Sequence, residues 1–269
     1  MAHLRTTTAV WRSWPWVLLV LSAWGLSGLF AAQAGTGRTR IANSGPGGSD
    51  GGTLLVEYFR LLLAERDLDA FRDRVAARYS EETLCRLVSG SSAVTTRRAA
   101  VVALSTIGGI RRSNPALGGA LRDADPIVRQ FAEDALWSVW FRADTPENNQ
   151  SLQQIVQLIA NGEIERAEAQ ATRLIIAAPH FAEAYNQRAM IYFSQNRFAE
   201  SAMDCQRVLQ FNPYHFGAMS GLAQCQDKLN RPAEALKTLR RVAKLQPYNP
   251  GLRNNIRKLE ARVEFDDSR

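Results

Sequence analysis

Residues able to carry chemistry are few in this chain and far apart. His180 and His215 each follow a proline by one or two positions, Pro179 and Pro213. No third ligand pattern stands near either, so both read as loop residues rather than metal ligands or acid–base groups. Cys85, Cys205 and Cys225 form an odd set without a C-x-x-C pair. Each falls within a helical pattern, where a free cysteine behaves as a small hydrophobe. Cys205 and Cys225 lie in neighbouring segments that could approach, but the pattern does not call for a disulfide. Asp123 and Asp125 could serve as oxygen ligands. A capped turn before a helix needs the same two residues, and that reading is preferred. There is no Gly-x-Ser-x-Gly, no GxxxxGK[ST], no His-Glu-x-x-His and no dinucleotide fingerprint. The sequence therefore predicts no catalytic residue, no metal site and no cofactor.

The elements behind these residues follow a period. Pro179, Pro213 and Pro247 recur at intervals of 34, as do Gly162, Asn196 and Asn230, and Ala167, Ser201 and Ala235. Such a period marks stacked supersecondary units. Residues 148–181, 182–215 and 216–249 are each predicted to form a helical hairpin, with the small residues letting antiparallel helices approach and the aromatics filling the angle between them. Leu252, Ile256, Leu259 and Val263 then recur at four, three and four residues, with Arg253, Arg257, Lys258 and Arg262 on other faces. Residues 250–264 are predicted to form one amphipathic capping helix, and 265–269 a polar tail.

Within 182–215, Tyr185, Ala189, Tyr192, Phe198, Ser201 and Pro213 stand at the aromatic, small, aromatic, aromatic, small and proline positions of the tetratricopeptide repeat (TPR), which this part of the chain resembles. The third unit agrees at Leu222, Ala223, Ala235 and Pro247. The first departs from the pattern, with Ser151 and Ile155 replacing the usual aromatic and small residues while Gly162, Ala167 and Pro179 keep the frame. The resemblance implies a partner segment lying along a concave face built by the first helix of each unit. Carried over by position, that face includes Leu152, Val156 and Ile159, then Glu183, Asn186, Gln187, Met190 and Phe193, then Ser220, Gly221, Gln224, Asp227 and Lys228. The predicted partner-binding set is Glu183, Asn186, Gln187, Met190, Phe193, Ser220, Gln224, Asp227 and Lys228. The version of this family that grips a C-terminal carboxylate uses Lys, Asn and Arg at several of these places. Here Leu152, Val156, Gly217 and Gly221 stand there, which argues against that activity. The three apolar residues of the first unit are either covered by the helices before Glu147 or open to a partner; the covered reading is preferred.

Residues 53–147 are helical as well, with Asp67 and Ser80 placed as N-caps. Arg97, Ala100, Ala103 and Leu104 match Arg129, Ala132, Ala135 and Leu136 at a shift of 32. The second copy opens on Asp123-Ala124-Asp125-Pro126, where Asp125 can cap and Pro126 can take the first helical position. The pair resembles a HEAT-like repeat over residues 92–141, although the first copy lacks the acidic opening. Trp137, Trp140 and Phe141 are read as the surface on which the next domain docks, with residues 144–147 as the joint.

Arg5 and Arg12 precede an apolar run from Trp16 to Phe30, and Ala32-Gln33-Ala34 offers a cleavage site. Residues 1–34 thus read as an export signal, or, if retained, as a membrane anchor over 16–34. Residues 35–52 are a Gly/Ser-rich flexible linker. The formal charge of +7 reads as a surplus spread thinly, with thirteen basic against thirteen acidic residues between 53 and 147, and no nucleic-acid partner is expected. The expectation is an all-α solenoid of stacked hairpins, exported to the periplasm or another extracytoplasmic space. It would act non-catalytically as a scaffold or assembly factor on a protein or peptide partner, with the membrane involved through the N-terminal segment alone. The alternative is a self-associating structural component, a homo-oligomer.

Overall fold

The computed structural model describes residues 52–267, and side chains over 53–264. The predicted export segment, the linker apart from Gly52, and the side chains of the polar tail lie outside the described residues. Among the described residues there are thirteen helices and no strand. They fall into two compact units that meet in sequence between Trp140 and Phe141.

The N-terminal unit holds α1 (Gly52–Glu65), α2 (Leu68–Ala76), α3 (Glu81–Gly90), α4 (Val94–Ile107), α5 (Ile110–Ala120) and α6 (Pro126–Phe141). Asp67 and Ser80 cap α2 and α3, accepting from the N–H groups of Ala70 at 2.9 Å and Thr83 at 3.2 Å. Burial runs all round α4, where every residue from Ala99 to Leu104 is at most 2% exposed. A helix apolar on all faces belongs at the centre, and α4 packs on α1, α2 and α3. Gly108 closes the turn from α4 into α5. A Cβ there would meet Ser113 Oγ at 2.4 Å and the Leu104 carbonyl at 2.5 Å, so no larger residue fits.

The shift of 32 residues has a physical counterpart. Arg97 Nη1 donates to the carbonyls of Ser91 and Ser92, and Arg129 Nη1 to those of Asp123 and Ala124. Each guanidinium thus holds the turn five and six residues before it. Arg97 also reaches the next copy, binding Asp123 through two bonds of 2.7 and 2.9 Å, while Arg98 grips Asp125 at 3.0 and 2.6 Å. Asp125 Oδ1 accepts from the Val128 N–H at 2.8 Å and so caps α6. The arginine bonds hold both carboxyls below the usual carboxylate range. The capped turn preferred from the sequence is thus present, and both aspartates are also engaged in ion pairs.

The C-terminal unit holds α7 (Pro146–Ala160), α8 (Ile164–Ala177), α9 (Ala182–Ser194), α10 (Phe198–Phe211), α11 (Phe216–Lys228), α12 (Pro232–Leu245) and α13 (Pro250–Asp267). Thr145 caps α7, with Pro146 in its first turn. Each helix packs on the next, and the first helices of successive hairpins also touch, α7 on α9 and α9 on α11. The helix α13 runs three residues past the predicted end at 264.

The period of 34 becomes a repeated turn. Gly162, Asn196 and Asn230 take φ of 77°, 60° and 59°. In each, the N–H of the left-handed residue donates three residues back, and the next N–H donates five residues back: Glu163 to Leu158, Arg197 to Tyr192, Arg231 to Gln226. This pairing closes a helix through a left-handed residue, and only Gly or Asn enters that conformation cheaply. The proline turns repeat too, with the N–H of Phe181, His215 and Asn249 each donating three residues back.

The core forms at the predicted crossings. Ala189, Ser201, Cys205 and Ala235 have no exposed surface. Ser201 Oγ donates to the Ala189 carbonyl at 2.8 Å and accepts from Cys225 Sγ at 3.2 Å. Leu152 and Ile159, placed by position on the concave face, instead belong to the core cluster with Ala167, Leu174 and Phe181; Val156 is buried as well. Phe141 and Ala143 pack against that same cluster, whereas Trp140 directs its indole N–H to Asn114 Oδ1 of α5 at 2.8 Å. The aromatic group read as one docking surface is thus divided between the two units.

Candidate protein-binding face

Glu183, Asn186 and Gln187 are at most 5% exposed. Glu183 Oε1 accepts from Asn186 Nδ2 at 2.7 Å and Gln187 Nε2 at 2.9 Å, and its Oε2 lies 2.9 Å from His215 Nε2. The Ala218 N–H, which can only donate, points at His215 Nδ1 at 2.9 Å. That fixes the ring proton on Nε2, where it is donated to Glu183. His215 is therefore the N-cap of α11 and a buried partner of α9, where the sequence suggested a loop residue. These three predicted partner-binding residues turn inward and bind one another, because a carboxylate with no access to water needs donors close by.

The remaining six are half-buried or exposed. Phe193 meets the ring of Phe198 edge-on at 5.3 Å, which ties it to its own hairpin. Ser220 Oγ donates to the Phe216 carbonyl one turn back, and Asp227 pairs with Arg262 of α13. Met190 and Gln224 stand on α9 and α11 half-buried, with Lys228 exposed at the end of α11. Met190 and Gln224 stand at equivalent positions, 34 residues apart, on two first helices that pack on each other, with Lys228 one turn beyond Gln224.

One residue that sequence reasoning missed is Arg188. It binds Asp204 at 2.8 and 2.9 Å, reaches Thr172 Oγ1 at 3.2 Å, and lies 5.5 Å from the centre of the Tyr192 ring. It joins α8, α9 and α10. An arginine followed sixteen residues later by an aspartate was the available signal, but it does not recur in the other units.

For chemistry, burial pushes the thiols of Cys205 and Cys225 up from their ordinary range, and that of Cys85 less deeply in the fold also rises. The thiolate is the nucleophile, so these are held in their unreactive form, and all three are free. Among the described residues no group of three His, Cys, Asp or Glu is placed to hold a metal ion. None of the described helices is long and apolar enough to cross a membrane.

Antiparallel helix pairs joined by identical left-handed turns, with first helices aligned along one side, define a helical-repeat protein. Residues 152–216 and 192–253 match two family models of the tetratricopeptide repeat. A TPR repeat-containing protein of Rhizobium etli is 41% identical over 49 residues, a stretch that spans 18% of this chain and 24% of that protein. Residues 152–253 thus form a tetratricopeptide-repeat domain. Repeats of this kind serve generally in protein–protein interaction.

Proposed function

We propose that the protein is a non-catalytic scaffold or assembly factor that acts outside the cytoplasm and holds a segment of another protein along α9 and α11. The observation that carries this reading is the alignment of Met190, Gln224 and Lys228 on adjacent first helices, in a repeat family devoted to protein contacts. Side chains of this kind suit an extended or helical peptide with apolar anchors and an acidic or polar group near Lys228. The N-terminal unit, with its matched Arg97 and Arg129 turns, is taken in this reading as a HEAT-like block. Export rests on residues 1–34.

The test is capture from an envelope extract by the full-length protein and by a Met190→Ala, Gln224→Ala, Lys228→Ala variant of equal helicity. Loss of one specific protein from the variant supports the reading. Unchanged capture overturns it. A mass that rises with concentration in the absence of any extract would favour self-association instead.

A further inference from the structure

Charge is not spread thinly along this chain. Residues 53–230 hold nineteen basic and twenty acidic residues, whereas 231–269 hold ten basic and five acidic, a surplus of five in a chain whose whole surplus is seven. All four lysines fall between positions 228 and 258. Exposed cations with no ion-pair partner among the described residues also occur elsewhere, Arg78, Arg111, Arg112 and Arg173 among them, but the last two helices gather more of them in a short stretch. By contrast, Arg97, Arg98, Arg188 and Arg197 sit on carboxylates at 2.6–2.9 Å. On the last two helices Arg240 pairs with Glu260 and Arg262 with Asp227. Lys237, Arg241, Lys244, Arg253, Arg257 and Lys258 are all exposed and have no ion-pair partner among the described residues.

Their spacing gathers them. Lys237, Arg241 and Lys244 follow one another at four and three residues, which is one stripe of α12, and Arg253 and Arg257 form a stripe of α13. The Arg240–Glu260 bond of 2.9 Å ties these helices side by side. Tyr248 stands 51% exposed in the turn that joins them. Like charges in adjacent rows repel one another, and an external layer of anions relieves that repulsion.

We propose that the α12–α13 hairpin docks on an anionic phospholipid surface. Six unpaired cations on two neighbouring helices, five of them in two stripes, suit an extended layer of headgroups, whereas a bound acidic peptide would call for convergent, paired donors. A single-stranded nucleic acid would need aromatic rings set among the cations. Here one tyrosine lies at the tip of the turn, the place where an amphipathic ring settles at headgroup level.

The test is flotation of the full-length protein with vesicles of phosphatidylcholine alone and of phosphatidylcholine with phosphatidylglycerol, at low and high salt. The apolar residues 16–30 would enter both kinds of vesicle, so the quantity read is the ratio between them. The expected ratio is well above one, falls with salt, and drops about fivefold for each cation removed. A Lys237→Gln, Arg241→Gln, Lys244→Gln variant should thus lose roughly a hundredfold of the preference, at unchanged helicity. An Arg253→Gln, Arg257→Gln, Lys258→Gln variant on the other helix guards against a folding failure in the first. A ratio near one, or a ratio that neither variant lowers, overturns the proposal. Binding of fluorescent duplex DNA or polyglutamate under salt conditions where the vesicles show no preference also overturns it, and would assign the stripe to a polymeric anion.

Discussion

Replacing Glu183 with alanine would leave His215 Nε2, Asn186 and Gln187 buried without their common acceptor. Losing the shared member of such a network costs about 3 kcal/mol, more than the removal of one ordinary hydrogen bond. A fall of roughly 10 °C in the melting temperature is expected; a change of a degree or two in differential scanning calorimetry would mean that the network contributes little. A second residue-scale effect comes from α6. Burial raises the Glu133 carboxyl from 4.5 to about 7, with Asp134 adding repulsion, and raises Asp134 from 3.8 to about 6. An acid whose folded pKa is raised is at no disadvantage below its unfolded pKa, loses stability as pH climbs from there to the folded value, and carries the full penalty above it. Between about pH 4.5 and 7 the protein should therefore grow less stable, and Glu133→Gln should recover about 1–2 kcal/mol at pH 8. Urea titrations of both proteins at pH 5 and pH 8 check the sign: the gain must be larger at pH 8. What could be read from the sequence differs sharply between these residues. The small residues Ala189 and Ser201 announced a helix crossing through their period. The fate of Glu183 depended on His215, thirty-two positions away and in a turn, and no period connects the two. Residues assigned to a face by position alone were turned inward for that reason.

At the scale of elements, the left-handed turns set the frame of the repeats. Asn196 at φ 60° tolerates glycine, so Asn196→Gly should alter stability by no more than about 0.5 kcal/mol. Asn196→Val forces a β-branched side chain into that conformation and should cost about 1–2 kcal/mol. Equal denaturation midpoints for the two variants would contradict the turn geometry. These turns were legible because Gly and Asn are almost the only residues that serve there. The joint between the units was not. Residues 144–147 carry the turn chemistry, with Thr145 capping α7, but the change of core falls earlier, inside the aromatic group at Trp140 and Phe141. Composition marks where a chain bends, whereas the partner that each large side chain chooses decides where a core ends.

For the whole molecule, the C-terminal unit has its own continuous chain of helix contacts and its own buried clusters. Residues 141–269 expressed alone should keep their helicity and melt cooperatively. A fragment that shows neither, by circular dichroism, would mean that this unit depends on the remainder of the chain. The same scale explains how the charge distribution escaped a reading by windows. Thirteen bases against thirteen acids over 53–147 suggested an even surface, and the surplus emerged once the last two helices were counted by themselves.

The bond between Glu183 and His215 has a mechanical side. Repeats that meet only through soft apolar contacts separate one at a time when a chain is pulled from its end. Here α9 grips the very residue that starts α11, so a tug transmitted through α12 and α13 first peels those two helices and then meets a rivet. The second hairpin, α9 and α10, should then yield together with α11, in a single step of extension longer than one repeat.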